Sequence, residues 1–290
     1  GAITLTALTT LDVGPALISS GGGVITLASG NSMSLFGPIT TSGGAFNADV
    51  TGAGTLSIEN DITTSGGAVD VTTANGLLQS TVGSDVNVSG GAGSGSIRLE
   101  ALGGATDMLL NGAIIGSGGA LTLRGGNHVT LNAPVTSFGA TTIAADTNNG
   151  GVGNIAVSAP ITISGAGTLA LSGRAIVQSA TGTISTNGGN ITGTFADAIT
   201  VARSISSTSG AIQLSSLATT LSAAISGGGG VTIQSAGVTG NAGGTVSSQN
   251  TPIVLTATAG ALDIIDTINS HGGTITINAG TTITLGPAPL

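Results

Sequence analysis

Residues 38–44 read Pro-Ile-Thr-Thr-Ser-Gly-Gly, and residues 61–67 read Asp-Ile-Thr-Thr-Ser-Gly-Gly. The second copy starts 23 residues after the first. Self-similarity at a period of roughly 20–50 residues is the mark of a solenoid, a propeller or an array. Working outward, the Ser-Gly-Gly block returns at 20–22, 89–91 and 117–119. Degenerate copies stand at 138–140, 164–166, 187–189, 209–211, 227–229 and 271–273, and a weaker unit is expected near Thr251. The gaps run from about 18 to 28 residues and average about 22–23, inside the solenoid range.

The flanks of the block repeat too. Before it stand Asp85-Val-Asn-Val, Ala113-Ile-Ile-Gly, Pro134-Val-Thr-Ser and Pro160-Ile-Thr-Ile. After it comes a second short apolar run, as in Val24-Ile-Thr-Leu, Val231-Thr-Ile and Thr274-Ile-Thr-Ile. A third run follows, as in Met33-Ser-Leu, Thr55-Leu-Ser-Ile, His128-Val-Thr-Leu and Asn154-Ile-Ala-Val. Each run alternates apolar and polar residues, the period of a strand, and no helical stripe of useful length exists. Three short strands and three turns per unit describe one coil of a parallel β-helix. Each strand then stacks on its counterpart about 4.8 Å away, and one coil cannot cover its own apolar face without neighbours. Gly in the Ser-Gly-Gly block supplies the corner's unusual φ/ψ. Pro38, Pro134 and Pro160 fall at one equivalent corner, at the start of a strand, where no ladder donor is lost. The reading is all-β: a right-handed parallel β-helix of about 12–13 coils, with 1–290 as a single repeat domain. The right hand is favoured because the strict hexapeptides of left-handed forms are missing. Hairpin folds fit less well, although Asn75-Gly76 and Asn111-Gly112 are turn dipeptides.

Composition narrows the function. The chain has 290 residues, with 52 Gly, 12 Asp+Glu, 4 Lys+Arg, no Cys, no Trp, no Tyr and 4 Phe. With 1% aromatic residues, neither a core of large rings nor an aromatic-girdled outer-membrane barrel is expected. Four basic residues against a net charge of −8 leave nothing to neutralise a phosphate backbone, so no nucleic-acid partner is expected. Disorder is disfavoured because 40% of the residues are hydrophobic and only 6% charged. No run of about 18 apolar residues offers a transmembrane helix. The absence of cysteine does not fix the compartment.

Pro-Ile-Thr-Thr-Ser-Gly-Gly at 38–44, Gly-Gly-Ala-Leu-Thr-Leu at 118–123 and Asn-His-Val-Thr-Leu-Asn-Ala-Pro-Val at 127–135 resemble filamentous-haemagglutinin-type repeats. The resemblance runs over nearly the whole chain. Such repeats belong to two-partner-secreted and autotransported surface proteins of Gram-negative bacteria. The resemblance implies a right-handed β-helix at the cell surface or outside the cell, often the shaft of an adhesin.

Candidate chemistry is sparse. Asp61 and Asp85 occupy the same place in adjacent units. Stacked about 5 Å apart, they could share a proton, hold calcium or serve a glycosidase; the plainer reading is that each caps a corner. Asp107, Asp146, Asp263 and Asp266 form no visible set. Gly151-Val-Gly-Asn and the stretch at 90–94 come near the calcium-binding nonapeptide but lack its Asp. Residues 93–96 read as turn material rather than a phosphate cradle. Arg98, Arg124, Arg174 and Arg203 read as single, solvated residues, and His128 and His271 as lacking the spacing of metal ligands. Thr-x-Thr pairs at 4–6, 256–258, 274–276 and 282–284 suggest an ice-binding face, but the central units break the pattern. The expectation is therefore no catalytic, cofactor-binding or metal-binding residue, no cofactor and no enzyme. Gly14-Pro15-Ala16-Leu17 resembles the last five residues, 286–290, and neither end shows a polar capping repeat. The chain is thus expected to be a segment of a longer rod or a subunit that stacks end to end. The expected function is an extracellular structural shaft or filament. The alternative is an adhesin module recognising glycans or cell surfaces through the longer units 89–116 and 138–163.

Overall fold

The computed structural model describes residues 1–89, 95–179 and 181–286. The Gly-rich stretch 90–94, which includes most of the block at 89–91, and the last residues 287–290 lie outside the described residues. The described chain is all β, without a helix, and its strands pair in parallel as a β-solenoid of about 13 turns with roughly 22 residues each. The chain divides into two compact units, Gly1–Asn154 and Ile155–Leu290.

In the first unit each turn contributes one strand to each of three sheets. The first sheet runs Ile3–Ala7, Ile25–Ser29, Phe46–Val50, Val69–Thr73, Ile97–Ala101, Leu121–Gly125 and Thr141–Ala144, hydrogen-bonded in that order. Strands such as Ser32–Leu35 and Leu56–Ile58 form the second sheet, and Ile39–Thr41 and Ile62–Thr63 the third. The register is one residue on its equivalent: Ile25, Phe46, Val69, Ile97 and Leu121 make one inward row. All five are at most 1% exposed. Each buried side chain of this size contributes about 1.5–3 kcal/mol of transfer free energy, and like-on-like stacking keeps every rung filled from turn to turn.

The repeated heptapeptide can now be read residue by residue. Ile39 and Ile62 point inward, while Thr40 and Thr63 are half-buried on the outer face. The next threonine turns inward and closes the corner. The Thr64 hydroxyl donates to the Gly67 carbonyl at 2.5 Å, and Thr41 does the same to Gly44. Gly43 and Gly66 then take φ of 94° and 97°, a region that favours glycine. The last glycine serves another purpose. A Cβ on Gly67 would lie 2.0 Å from the Gly44 carbonyl oxygen, so the two backbones stack too closely for any side chain. Clip, left-handed turn and close contact together explain why Thr-Ser-Gly-Gly recurs as a block.

In the second unit the third sheet keeps the same form, from Ile161–Ile163 through Ile184–Thr186 and Ile205–Ser207 to Val246–Ser248. The first two faces change. Ile212–Leu221 and Val231–Gly240 are unbroken strands of 10 residues each, and Ile199–Val201 pairs with the end of the first of them. The three-strand expectation therefore fails for these two turns. Inside the straightened corner the hydroxyls of Ser216, Thr219 and Ser235 satisfy one another at 2.5–3.1 Å, because a buried hydroxyl without a partner is costly.

Candidate functional site

The outer face of the first sheet in the first unit gathers the densest charge. Strand alternation sends Asp70 and Thr72, Arg98 and Glu100, and Thr122 and Arg124 outward from three successive turns. Register places Arg98 beside Asp70 and Arg124 beside Glu100. The Arg98 guanidinium lies 3.3 Å from the Asp70 carboxylate and 3.0 Å from Glu100, and Arg124 lies 3.3 Å from Glu100. Glu100 is only 5% exposed, whereas its arginine partners are nearly half exposed. Each Glu100 oxygen faces a different guanidinium. Arg98 also donates to the Thr72 hydroxyl, which in turn reaches the second Asp70 oxygen at 3.4 Å. These carboxylates are therefore engaged as acceptors, the arrangement of a clamp across turns rather than of a free general base. A shallow cavity of about 280 Å³ flanks the network, lined by Asn47, Asp49, Asp70, Thr72 and Arg98.

This corrects the sequence reading of the arginines. Arg98 and Arg124 lie within strands and pair with acids in neighbouring turns. Arg174 holds Asp197 through two bonds of 2.7 and 2.6 Å. Arg203 donates to the Ser179 carbonyl at 3.1 Å.

Asp61 and Asp85 do occupy one corner column, and their chemistry is backbone capping. The Asp85 N–H donates to the Asp61 carboxylate at 2.9 Å, and the Ala113 N–H to the Asp85 carboxylate at 2.8 Å. The same column holds Pro38 before them and Pro134 after, as its backbone bonds show. Pro38 has no side-chain acceptor, so the Asp61 N–H turns to the Asn60 side chain at 2.9 Å. Pro134 has no N–H, so it needs no acceptor from Ala113. A second corner uses the same device with other residues. Asp107 accepts the His128 N–H at 3.1 Å, and His128 Nδ1 accepts the Asn154 N–H at 3.0 Å.

The remaining candidates are local. Asp146 accepts the Gly151 N–H at 3.0 Å within the longer loop of unit 138–163, and Asn148 reaches down to the Gly104 carbonyl. Asp263 faces outward on Leu262–Ile264. Asp266 accepts N–H groups from Gly243 at 2.8 Å and Thr267 at 2.7 Å, and these bonds, Gly243 first, hold its carboxyl below its ordinary value of 3.8. The His271 ring lies 2.7 Å from the Ser248 carbonyl. Among the described residues, no three His, Cys, Asp or Glu side chains come together as a metal site, and no helix is long and apolar enough to cross a membrane. One groove in the second unit is different in kind. It has about 310 Å³, lies on the outer face of the third sheet, and is lined by Thr162, Ser164, Ser185, Asn187, Ser206 and Thr208, all uncharged. Sequence reasoning missed it because its hydroxyls come from three turns. Comparison with models of known protein families, with curated proteins and with solved structures gives no match to this chain.

Proposed function

We propose that the chain forms part of a structural shaft of a bacterial surface or secreted protein. One observation carries this reading. Turn after turn presents the same inward rows of aliphatic side chains, joined by in-register parallel ladders, so its residues are spent on repetition. A ladder of this kind resists bending and proteolysis, since few backbone groups open without breaking neighbours. The extracellular setting and the kinship with filamentous-haemagglutinin-type repeats rest on the motifs at 38–44, 118–123 and 127–135.

Electron microscopy of the isolated chain at micromolar concentration tests the reading. Elongated particles with a repeat of about 4.8 Å are expected, and rounded particles lacking that repeat would sink it. Uniform fibres in the same images would place the function in a polymer formed by axial self-association. A second reading, adhesion to an uncharged glycan, is favoured by the hydroxyl-lined groove of Thr162, Ser185 and Ser206. A glycan array answers it: absence of any signal that Ser185→Trp abolishes would remove it.

A further inference from the structure

We propose that Asn187-Gly188 is a self-modification site, where the chain converts a neutral corner into an anionic one. Four Asn-Gly pairs occur, at 75–76, 111–112, 149–150 and 187–188. In such a pair the backbone nitrogen of Gly attacks the Asn side-chain carbonyl carbon. A C–N bond forms, the bond from that carbon to Nδ2 breaks, and ammonia leaves with the proton from the attacking nitrogen. Water then opens the cyclic imide at either carbonyl, giving aspartate or isoaspartate. No oxidation or reduction is involved. The step needs an attacking N–H that is free and a backbone able to shift.

The fold denies these conditions at three pairs. The Gly112 N–H is bound to the Ser80 hydroxyl at 3.0 Å, and the Asn111 side chain is tied to the Ser80 carbonyl at 2.8 Å. The Gly150 N–H is bound to the Asn148 side chain at 2.7 Å. Gly76 is buried, its carbonyl accepts the Thr73 hydroxyl at 2.6 Å, and a Cβ there would lie 1.7 Å from the Gly54 carbonyl oxygen, so its backbone is held against the stacked turn and cannot shift. At the fourth pair Asn187 is exposed. Among the described residues no hydrogen bond holds its side chain or the Gly188 N–H. A Cβ on Gly188 would meet nothing closer than the Ser209 hydroxyl at 3.4 Å.

The site sits in the uncharged groove of Thr162, Ser185, Ser206 and Thr208. Conversion puts a carboxylate there. The isoaspartate product also adds a carbon to the backbone beside the Asn187 N–H bond to the Ile163 carbonyl, 2.9 Å long. The arginines make the test simple, because cleavage after Arg98, Arg124, Arg174 and Arg203 leaves each pair on its own fragment: 1–98, 99–124, 125–174 and 175–203. The folded chain would be aged in mildly alkaline buffer, then denatured, cleaved and weighed. Fragment 175–203 is expected to gain about one mass unit, the exchange of an amide for an acid, roughly ten-fold faster than the other three. Aged in urea, all four should converge. Equal rates in the folded chain, or a lead by another fragment, would overturn the proposal. So would a gain on fragment 175–203 that persists at the wild-type rate in Asn187→Gln.

Discussion

The stacked rows of Asp70 and Arg98 on the outer face of the first sheet are ionic in one unit, and the equivalent rows are uncharged in the other. In Gly1–Asn154 the facing positions of consecutive strands include Asp49, Asp70, Arg98, Glu100 and Arg124. In Ile155–Leu290 the equivalent positions are Thr192 and Thr194, Gln213 and Ser215, Thr232 and Gln234, and Thr276 and Asn278. Beneath both faces lie inward rows of the same kind, such as Val71, Leu99 and Leu123 in one and Leu214, Ile233 and Leu255 in the other. The contrast teaches that the fold is carried by the inner rows, while the outer rows are free to take different chemistry.

The largest effects should therefore be blind to that contrast. Leu99→Ala and Ile233→Ala each remove a fully buried side chain, and each should cost about 2–5 kcal/mol in its own unit. Hydrogen exchange read strand by strand would show it. A loss in one unit several times that in the other would break the equivalence of the inner rows.

The next effect should separate the units. Glu100→Ala leaves two guanidiniums facing one another without the carboxylate between them. Removing one partner from a buried pair costs about 3–5 kcal/mol; with both arginines nearly half exposed, roughly 2 kcal/mol is expected after solvent screening. Gln234→Ala on the neutral face should stay within about 0.5 kcal/mol. Raising the salt to about 1 M, where the screening length falls to about 3 Å, should loosen exchange at Ile97–Ala101 and leave Val231–Gly240 unchanged. Equal responses in the two strands would show that the ion network adds nothing.

How much of this could be read from the sequence follows from the distance between partners. The corner clip of Thr64, Ser65, Gly66 and Gly67 is local, so the heptapeptide announces it, and strand alternation announces which side chains face inward. The arginine pairs are not local: Arg98 and Asp70 lie 28 positions apart, Arg124 and Glu100 24. Taken singly these residues look solvated. Only alignment of Val69-Asp-Val-Thr with Ile97-Arg-Leu-Glu and Leu121-Thr-Leu-Arg brings the charges together. The long strand Ile212–Leu221 was hidden for another reason. Ile212–Leu221 contains no glycine at which to turn, and its serines and threonines suit an extended chain as well as a corner. The corner aspartates stood between these cases: their column was visible, but their acceptors' partners, the N–H groups of Asp85 and Ala113, are backbone and leave no trace in side-chain identity.

That column gives a smaller test. Asp85→Ala removes the acceptor of the Ala113 N–H and should cost about 0.5–1.5 kcal/mol, the net worth of one hydrogen bond. Asp85→Pro would leave Ala113 equally uncapped and also displace the Asp85 N–H from Asp61, yet it copies the residue at 38 and 134. If the proline variant is the more stable of the two, the column is selecting for φ rather than for capping.

The smallest effect lies in the second unit, where charge is rare. Asp266 is partly exposed, and its carboxyl is lowered mainly by the Gly243 N–H and then by that of Thr267. A carboxylate whose pKa is lower folded than unfolded stabilises the fold at all pH above its unfolded value, here the ordinary 3.8. That contribution disappears as the pH falls through the lower, folded value. Acidification should therefore free the Gly243 N–H. In Asp266→Asn the acid-induced loosening of Gly243 should vanish. A Gly243 amide that still loosens with acid in the variant would mean that its acid response does not come from Asp266.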